Sequence, residues 1–302
     1  MSELKRISRR EFMVRSTQGA VGILAATALT SCNTLKASSK DKPGSKMRFG
    51  LVTYELAKDW DLPTLLKNCE TAKVYGVELR STHAHGVEPS LNEQQRKDVK
   101  KRFADSPITL IGLGAKIGFD SPDPEELKKN IETVKDFIKL SHDIGGSGVR
   151  AMPNKKHKEV PIEQTIEQIG KSVNEVGKFG ADYSQEFRLE VHGDFEDVPT
   201  FKKIMDIADN PNVKVSWNCN KGDLKGKGLE YNFNLLKDRI GLVHVRELDS
   251  TDYPYSALIN LLVKMDYKGW VGLETTSKPE DRVKLLAEQR ELFEKMVTAA
   301  QA

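Results

Sequence analysis

Glu190 and His192 close the run RLEVH, and Asn218 and Asn220 close VSWNCN. His244 and Arg246 close LVHVR, and Glu274 closes VGLE. Earlier in the chain, GVELR ends in Glu78 and Arg80, and GVRAM carries Arg150, with Asn154 just beyond it. In a β-strand successive side chains alternate faces, so groups two or four residues apart share a face. Glu190, His244 and Glu274 together offer two carboxylates and an imidazole. That set is hard enough for Mn²⁺ or Mg²⁺ and tolerant of Co²⁺ or Zn²⁺. The competing structural use of the same groups is a set of buried ion pairs, with Arg150 and Arg246 neutralising the glutamates.

Further candidates stand in the loops that follow these runs. RSTHAHGVEPS presents His83 and His85, which could donate to hydroxyl oxygens or carry protons. An H-x-H pair can also bind zinc, but no cysteine stands near it. Lys116, in GLGAKIGFD, could reach an oxyanion or carboxylate, or simply be solvated. NKKHKE at 154–159, His157 included, reads as a solvated loop.

The elements that must position these groups alternate regularly. β-type runs occur at 48–54, 76–80, 108–114, 148–152, 187–192, 213–218, 241–246 and 269–275. Helical patterns lie at 61–75, 92–104, 124–143, 161–178, 199–208, 230–238, 254–265 and 280–298. Asp61-Leu62-Pro63, Asp123-Pro124 and Val160-Pro161 mark helix starts; Gly76, Gly145-Gly146 and Gly180 mark ends. Eight strand-then-helix units in roughly 255 residues predict a (β/α)8 barrel, whose reactive groups gather at the C-terminal ends of the strands. A doubly wound sheet is the alternative, but no GxGxxG or GxxxxGK[ST] follows the first strand.

The first 46 residues are of another kind. A basic start, a short apolar stretch rich in Gly and Ala, and Cys32 follow in the order of an export signal. Ser8-Arg9-Arg10-Glu11-Phe12 resembles a twin-arginine signal, and Leu29-Thr30-Ser31-Cys32 resembles a lipobox, whose cysteine would carry a lipid anchor to the membrane. The expected organisation is a signal over 1–31, a polar tether over 32–46 and one domain over 47–302, on the periplasmic side. Residues 1–31 hold five of the chain's 47 basic and two of its 44 acidic side chains, so the remainder carries 42 of each. A neutral domain gives no electrostatic footprint for nucleic acid. Cys69 and Cys219, in separate elements, imply no disulfide framework.

From Met47 onward the chain resembles the xylose-isomerase-like barrel superfamily, sugar isomerases and epimerases related to metal-dependent apurinic endonucleases. In its epimerase branch a Glu, an Asp, a His and a Glu on strands five to eight hold one divalent metal. The corresponding positions are Glu190, Asn218, His244 and Glu274, with the two glutamates implied as the acid/base pair. Asn218 departs from the pattern: an amide keeps an oxygen but loses a charge, weakening the implied site. Lys221 stands where epimerases often carry a His. The resemblance implies metal-assisted proton abstraction beside a carbonyl of a free sugar or keto-glycoside. His83, His85, Lys116, Arg150, His192, Asn220, Lys221 and Arg246 are the candidate substrate contacts. A keto-glycoside lyase or hydrolase, a non-catalytic carbohydrate-binding lipoprotein and an apurinic-endonuclease-like enzyme are the other readings.

Overall fold

The computed structural model describes residues 42–302; the twin-arginine stretch, Cys32 and most of the expected tether lie outside the described residues. Eight parallel strands close a barrel in sequence order: β1 Arg48–Val52, β2 Gly76–Arg80, β3 Thr109–Gly118, β4 Gly148–Met152, β5 Glu186–Glu190, β6 Val213–Asn218, β7 Ile240–Val245 and β8 Trp270–Leu273. The expected (β/α)8 class is therefore the observed one. Closure is made by β1 against β8, in register from Arg48–Trp270 to Leu51–Leu273.

The helices are α1 Leu62–Thr71, α2 Glu93–Ala104, α3 Pro124–Ile144, α4 Ile162–Asp182, α5 Val198–Ile207, α6 Leu229–Leu236, α7 Tyr255–Lys264 and α8 Arg282–Ala300. Their starts follow from local chemistry. Asp61 accepts from the Thr64 amide and Asp197 from the Thr200 amide, each with a proline in the first turn. Asn92 and Gln95 form a reciprocal capping box at the start of α2. Gly145, at φ 88°, ends α3 in the left-handed conformation that costs other residues energy. Among the described residues no helix is long and apolar enough to cross a membrane.

Apolar side chains on the outer face of the strands pack against the helices and form the main core. Inside the barrel a separate plug of Ile111, Leu242 and Trp270 fills the lower end. Gly76 and Gly50 make room for it: a Cβ on Gly76 would overlap the Trp270 ring, and one on Gly50 would lie 2.8 Å from Ile111 Cδ1. Trp270 and Glu274 share a parity, as do Leu242 and His244, so the ionisable groups sit one layer above the plug.

Three boundaries differ from expectation. Residues 43–46 form a turn on the domain instead of a tether. The Gly44 amide donates to Asp266 Oδ1 at 2.9 Å, and Gln301 Nε2 to the Pro43 carbonyl at 2.8 Å. β5 stops at Glu190 because a 3₁₀ turn over Gly193–Phe195 begins with His192 as its cap. β3 continues to Gly118, beyond the apolar run that predicted it.

Candidate functional site

The upper layer of the barrel interior is a cluster of buried ionisable groups from five strand ends. His244, on β7, is fully buried; Glu78 on β2 and Glu190 on β5 are 1% exposed, and Arg150 on β4 is 3% exposed. Arg150 Nε donates to Glu78 Oε1 at 2.7 Å and its Nη1 to Glu190 Oε2 at 2.6 Å. His244 completes the ring, with Nε2 3.0 Å from Glu78 Oε2 and Nδ1 3.1 Å from Glu190 Oε1. Glu274, one residue past β8 and half-buried, places Oε2 3.7 Å from His244 Nδ1.

Charges this deep persist only when paired. Burial alone would raise the Glu190 carboxyl, but the Arg150 guanidinium and the His244 bond outweigh it and bring it down to about 2. Glu78 is likewise penalised by burial and held well below the carboxylate range by Arg150 and His244. Burial disfavours the His244 cation, yet the Glu78 charge and the bonds to Glu190 and Glu78 push it up to about 10. His244 is thus an imidazolium that donates from both nitrogens.

Ligand atoms of Glu190, His244 and Glu274 lie within 4.8 Å of one another, close enough to hold one metal ion. Asn218 is buried, pairs with His244 across β6 and β7, and lines the same cavity as the two glutamates. A divalent ion would have to displace the proton on Nδ1, since the two compete for one lone pair. That exchange would leave three carboxylates facing Arg150 and the dication, a neutral set. The donor set therefore fits a divalent cation, with a neutral amide oxygen at the fourth corner and Arg150 weakening the grip of Glu190.

Above the cluster opens a cavity of about 90 Å³. Arg150, His192, Asn220 and Arg246 from the expected substrate contacts line it. Sequence reading missed Tyr54 and Met152 here. Glu78 and Arg80 stood out only as strand-end groups, although their shared parity with Arg150 was a usable signal. Arg80 lies over the Tyr54 ring, 4.5 Å from its centroid.

Four expected contacts are placed elsewhere. His85 is buried, donates from Nε2 to the Arg80 carbonyl at 2.8 Å and accepts from the Val87 amide at 3.0 Å. Both nitrogens shape the loop, which removes this His85 from substrate binding and from any H-x-H zinc pair. His83 Nδ1 lies 3.3 Å from Thr53 Oγ1, and its ring does not line the cavity. Lys116 is exposed and does not line the cavity. Lys221 belongs to a neighbouring, outer compartment. His157, read as solvated, instead pairs with Asp120 at 3.0 Å. The ion-pair alternative holds for Arg150 alone; Arg246 is exposed.

A closed parallel barrel with a ring of ionisable groups at its mouth defines a class of sites used for chemistry on small polar ligands. Residues 66–296 match the family described as xylose isomerase-like TIM barrel, and the chain belongs to it. None of the curated proteins matches the chain. Among solved structures, D-psicose 3-epimerase from Clostridium cellulolyticum H10 with D-tagatose is 16% identical, with a TM-score of 0.71 over 84% of this chain and 99% of that one. The 3-keto-D-glucoside 4-epimerase from E. coli is 12% identical, with a TM-score of 0.70 over 83% and 100%. The IolI protein with a binding zinc atom is 16% identical, with a TM-score of 0.68 over 84% and 98%. At these identities the likeness establishes the barrel and nothing finer.

Proposed function

We propose that this chain is an enzyme that moves a proton beside a carbonyl of a small carbohydrate, as an isomerase, an epimerase or a keto-glycoside lyase. The observation that carries the reading is the convergence of Glu190, His244 and Glu274 under the cavity, with unpartnered polar atoms on its lining residues. Arg150 Nη2 and His192 Nδ1 are buried and have no hydrogen-bond partner. Ligand oxygens are the natural complement to such orphans.

When bound, a divalent metal would supply Lewis-acid polarisation of a carbonyl and its neighbouring hydroxyl. Glu190, Asn218, His244 and Glu274 would hold it. Glu274 is the carboxylate placed to accept the proton, because no close hydrogen bond occupies it and part of it faces the cavity. Glu190 has both oxygens engaged, so its share in proton return requires the Arg150 or His244 contact to loosen. Arg246, Asn220 and His192 would orient hydroxyls, and Tyr54 would wall one side. We further propose export and lipid anchoring at Cys32, on the motif order at the start of the chain.

The engagement of Glu190 and the amide at Asn218 also favour a second reading, a carbohydrate-binding lipoprotein without catalysis. One experiment separates them. The Mn²⁺-loaded protein is incubated in D₂O with ketohexoses and with 3-keto-glucosides, and deuterium beside the carbonyl is followed by NMR. Metal-dependent exchange that drops at least about a hundredfold in Glu274→Gln supports the enzyme. Saturable binding without exchange supports the second reading.

A further inference from the structure

The central cavity, at about 90 Å³, is small for a ligand site, which typically spans about 300–1,000 Å³. It can enclose the reacting end of a sugar and little more. Beside it lies an outer compartment of about 480 Å³, and the two share Asn220 and Arg246 as a common wall.

That wall is built rigidly from three strand ends. Asn220 Nδ2 donates to the Val191 carbonyl at 2.7 Å, and the Asn220 amide donates to Asp223 Oδ2 at 3.1 Å. The Tyr253 hydroxyl donates to the same Asp223 oxygen at 2.8 Å. Asp223 is fully buried, and its other oxygen, Oδ1, has no partner. The loops after β5, β6 and β7 are thereby locked into one frame. A frame so held fixes Asn220 between the two compartments.

The lining of the outer compartment has a definite chemistry. Tyr253 and Tyr255, packed 5.0 Å apart and largely buried, border it with their edges. Lys221 and Arg246 are outnumbered there by Glu196, Glu247 and Asp252. An excess of carboxylates disfavours a phosphate or another strong anion, which would seek an excess of donors. Tyrosine edges beside polar groups of both signs suit a neutral polyhydroxylated ring, whose C–H groups meet those edges while its hydroxyls find donors and acceptors.

We propose that the outer compartment is a second subsite, so that the ligand is a glycoside whose second sugar unit or aglycone lies across the Asn220–Arg246 wall. This rests on the reading of the central cavity as a carbohydrate site. The substrate class is then a glycoside with a neutral partner group, and a monosaccharide fills only half the site.

The test uses the full chain with Mn²⁺ and measures binding of 3-keto-glucose and of its phenyl β-glucoside by calorimetry. Two substitutions on exposed outer positions, Thr276→Trp to fill the compartment and Lys221→Ala to thin its donors, are measured alongside. Thermal melting confirms that both variants fold. The glycoside should bind at least tenfold more tightly than the free sugar, and Thr276→Trp should reduce that ratio to near one, with a smaller loss in Lys221→Ala. Equal affinity for the two ligands in the unsubstituted protein, or a preference that survives Thr276→Trp, overturns the second subsite alone. Failure of both sugars to bind overturns the carbohydrate reading and the subsite with it.

Discussion

Asp223 shows what a single buried residue does to the pH response. Burial raises its carboxyl to about 7 from an ordinary 3.8, and the nearby Glu196 charge adds to that; the Tyr253 and Asn220 bonds oppose it. The folded state therefore holds this proton more tightly than the unfolded chain does. Its contribution to stability is present below about 4 and is lost as pH rises through about 7. Asp223→Asn should flatten that slope: relative to the unsubstituted protein, the variant gains melting temperature steadily between acidic and mildly alkaline buffer. A difference that stays constant across the series would rule the account out. Asp223 gave no warning in the sequence, where KGD reads as an ordinary turn. Glu190, His244 and Glu274 were legible because strand alternation places them on one face. Their pairing with Arg150 was open as the ion-pair alternative, but the part of Glu78 was not legible, since pairing across β2, β4, β5 and β7 is set by barrel closure and not by local spacing.

At the scale of elements, the strands succeed as carriers because their interior face changes character along its length. Trp270 and Leu242 fill the bottom, and the same face turns ionisable two residues beyond Leu242, at His244, and four beyond Trp270, at Glu274. Glycine on β3 is part of this design. Gly114 pairs with Arg80 on one side and Arg150 on the other. A Cβ there would overlap Arg150 Nη2 and lie 2.7 Å from Glu78 Oε1. Gly114→Ala should accordingly push the guanidinium off its carboxylates and destabilise the fold by about 3–5 kcal/mol, the cost of breaking a buried ion pair. Urea unfolding reads this directly, and a loss under about 1 kcal/mol would mean the cluster yields without breaking. Periodicity located the eight strands and eight helices of the described residues. It misjudged where β5 and β3 end, because the 3₁₀ turn at His192 and the length of β3 depend on neighbours far away in the chain. His85 was misjudged for a different reason: its partners are backbone groups of its own loop, which periodicity does not register.

For the whole molecule, the basic start is the segment proposed as an export signal, and the chain beyond residue 31 carries 42 basic and 42 acidic side chains. If Cys32 is the anchor, Cys32→Ala should abolish fatty-acid labelling and move the protein from the membrane fraction to the soluble one. Labelling that persists in the variant would remove the anchor from the account. The remaining thiols, Cys69 and Cys219, are both buried, and burial pushes the Cys69 thiol up to about 12. Cys219 is raised well above its ordinary value by burial and then by Asp223, and it borders the outer compartment beneath Tyr253. With Cys32 replaced, alkylation of the folded chain can proceed only through transient opening. The rate at Cys219 then clocks how often the floor of the outer compartment breathes, and Cys69, on the buried face of α1, supplies an internal reference away from both compartments.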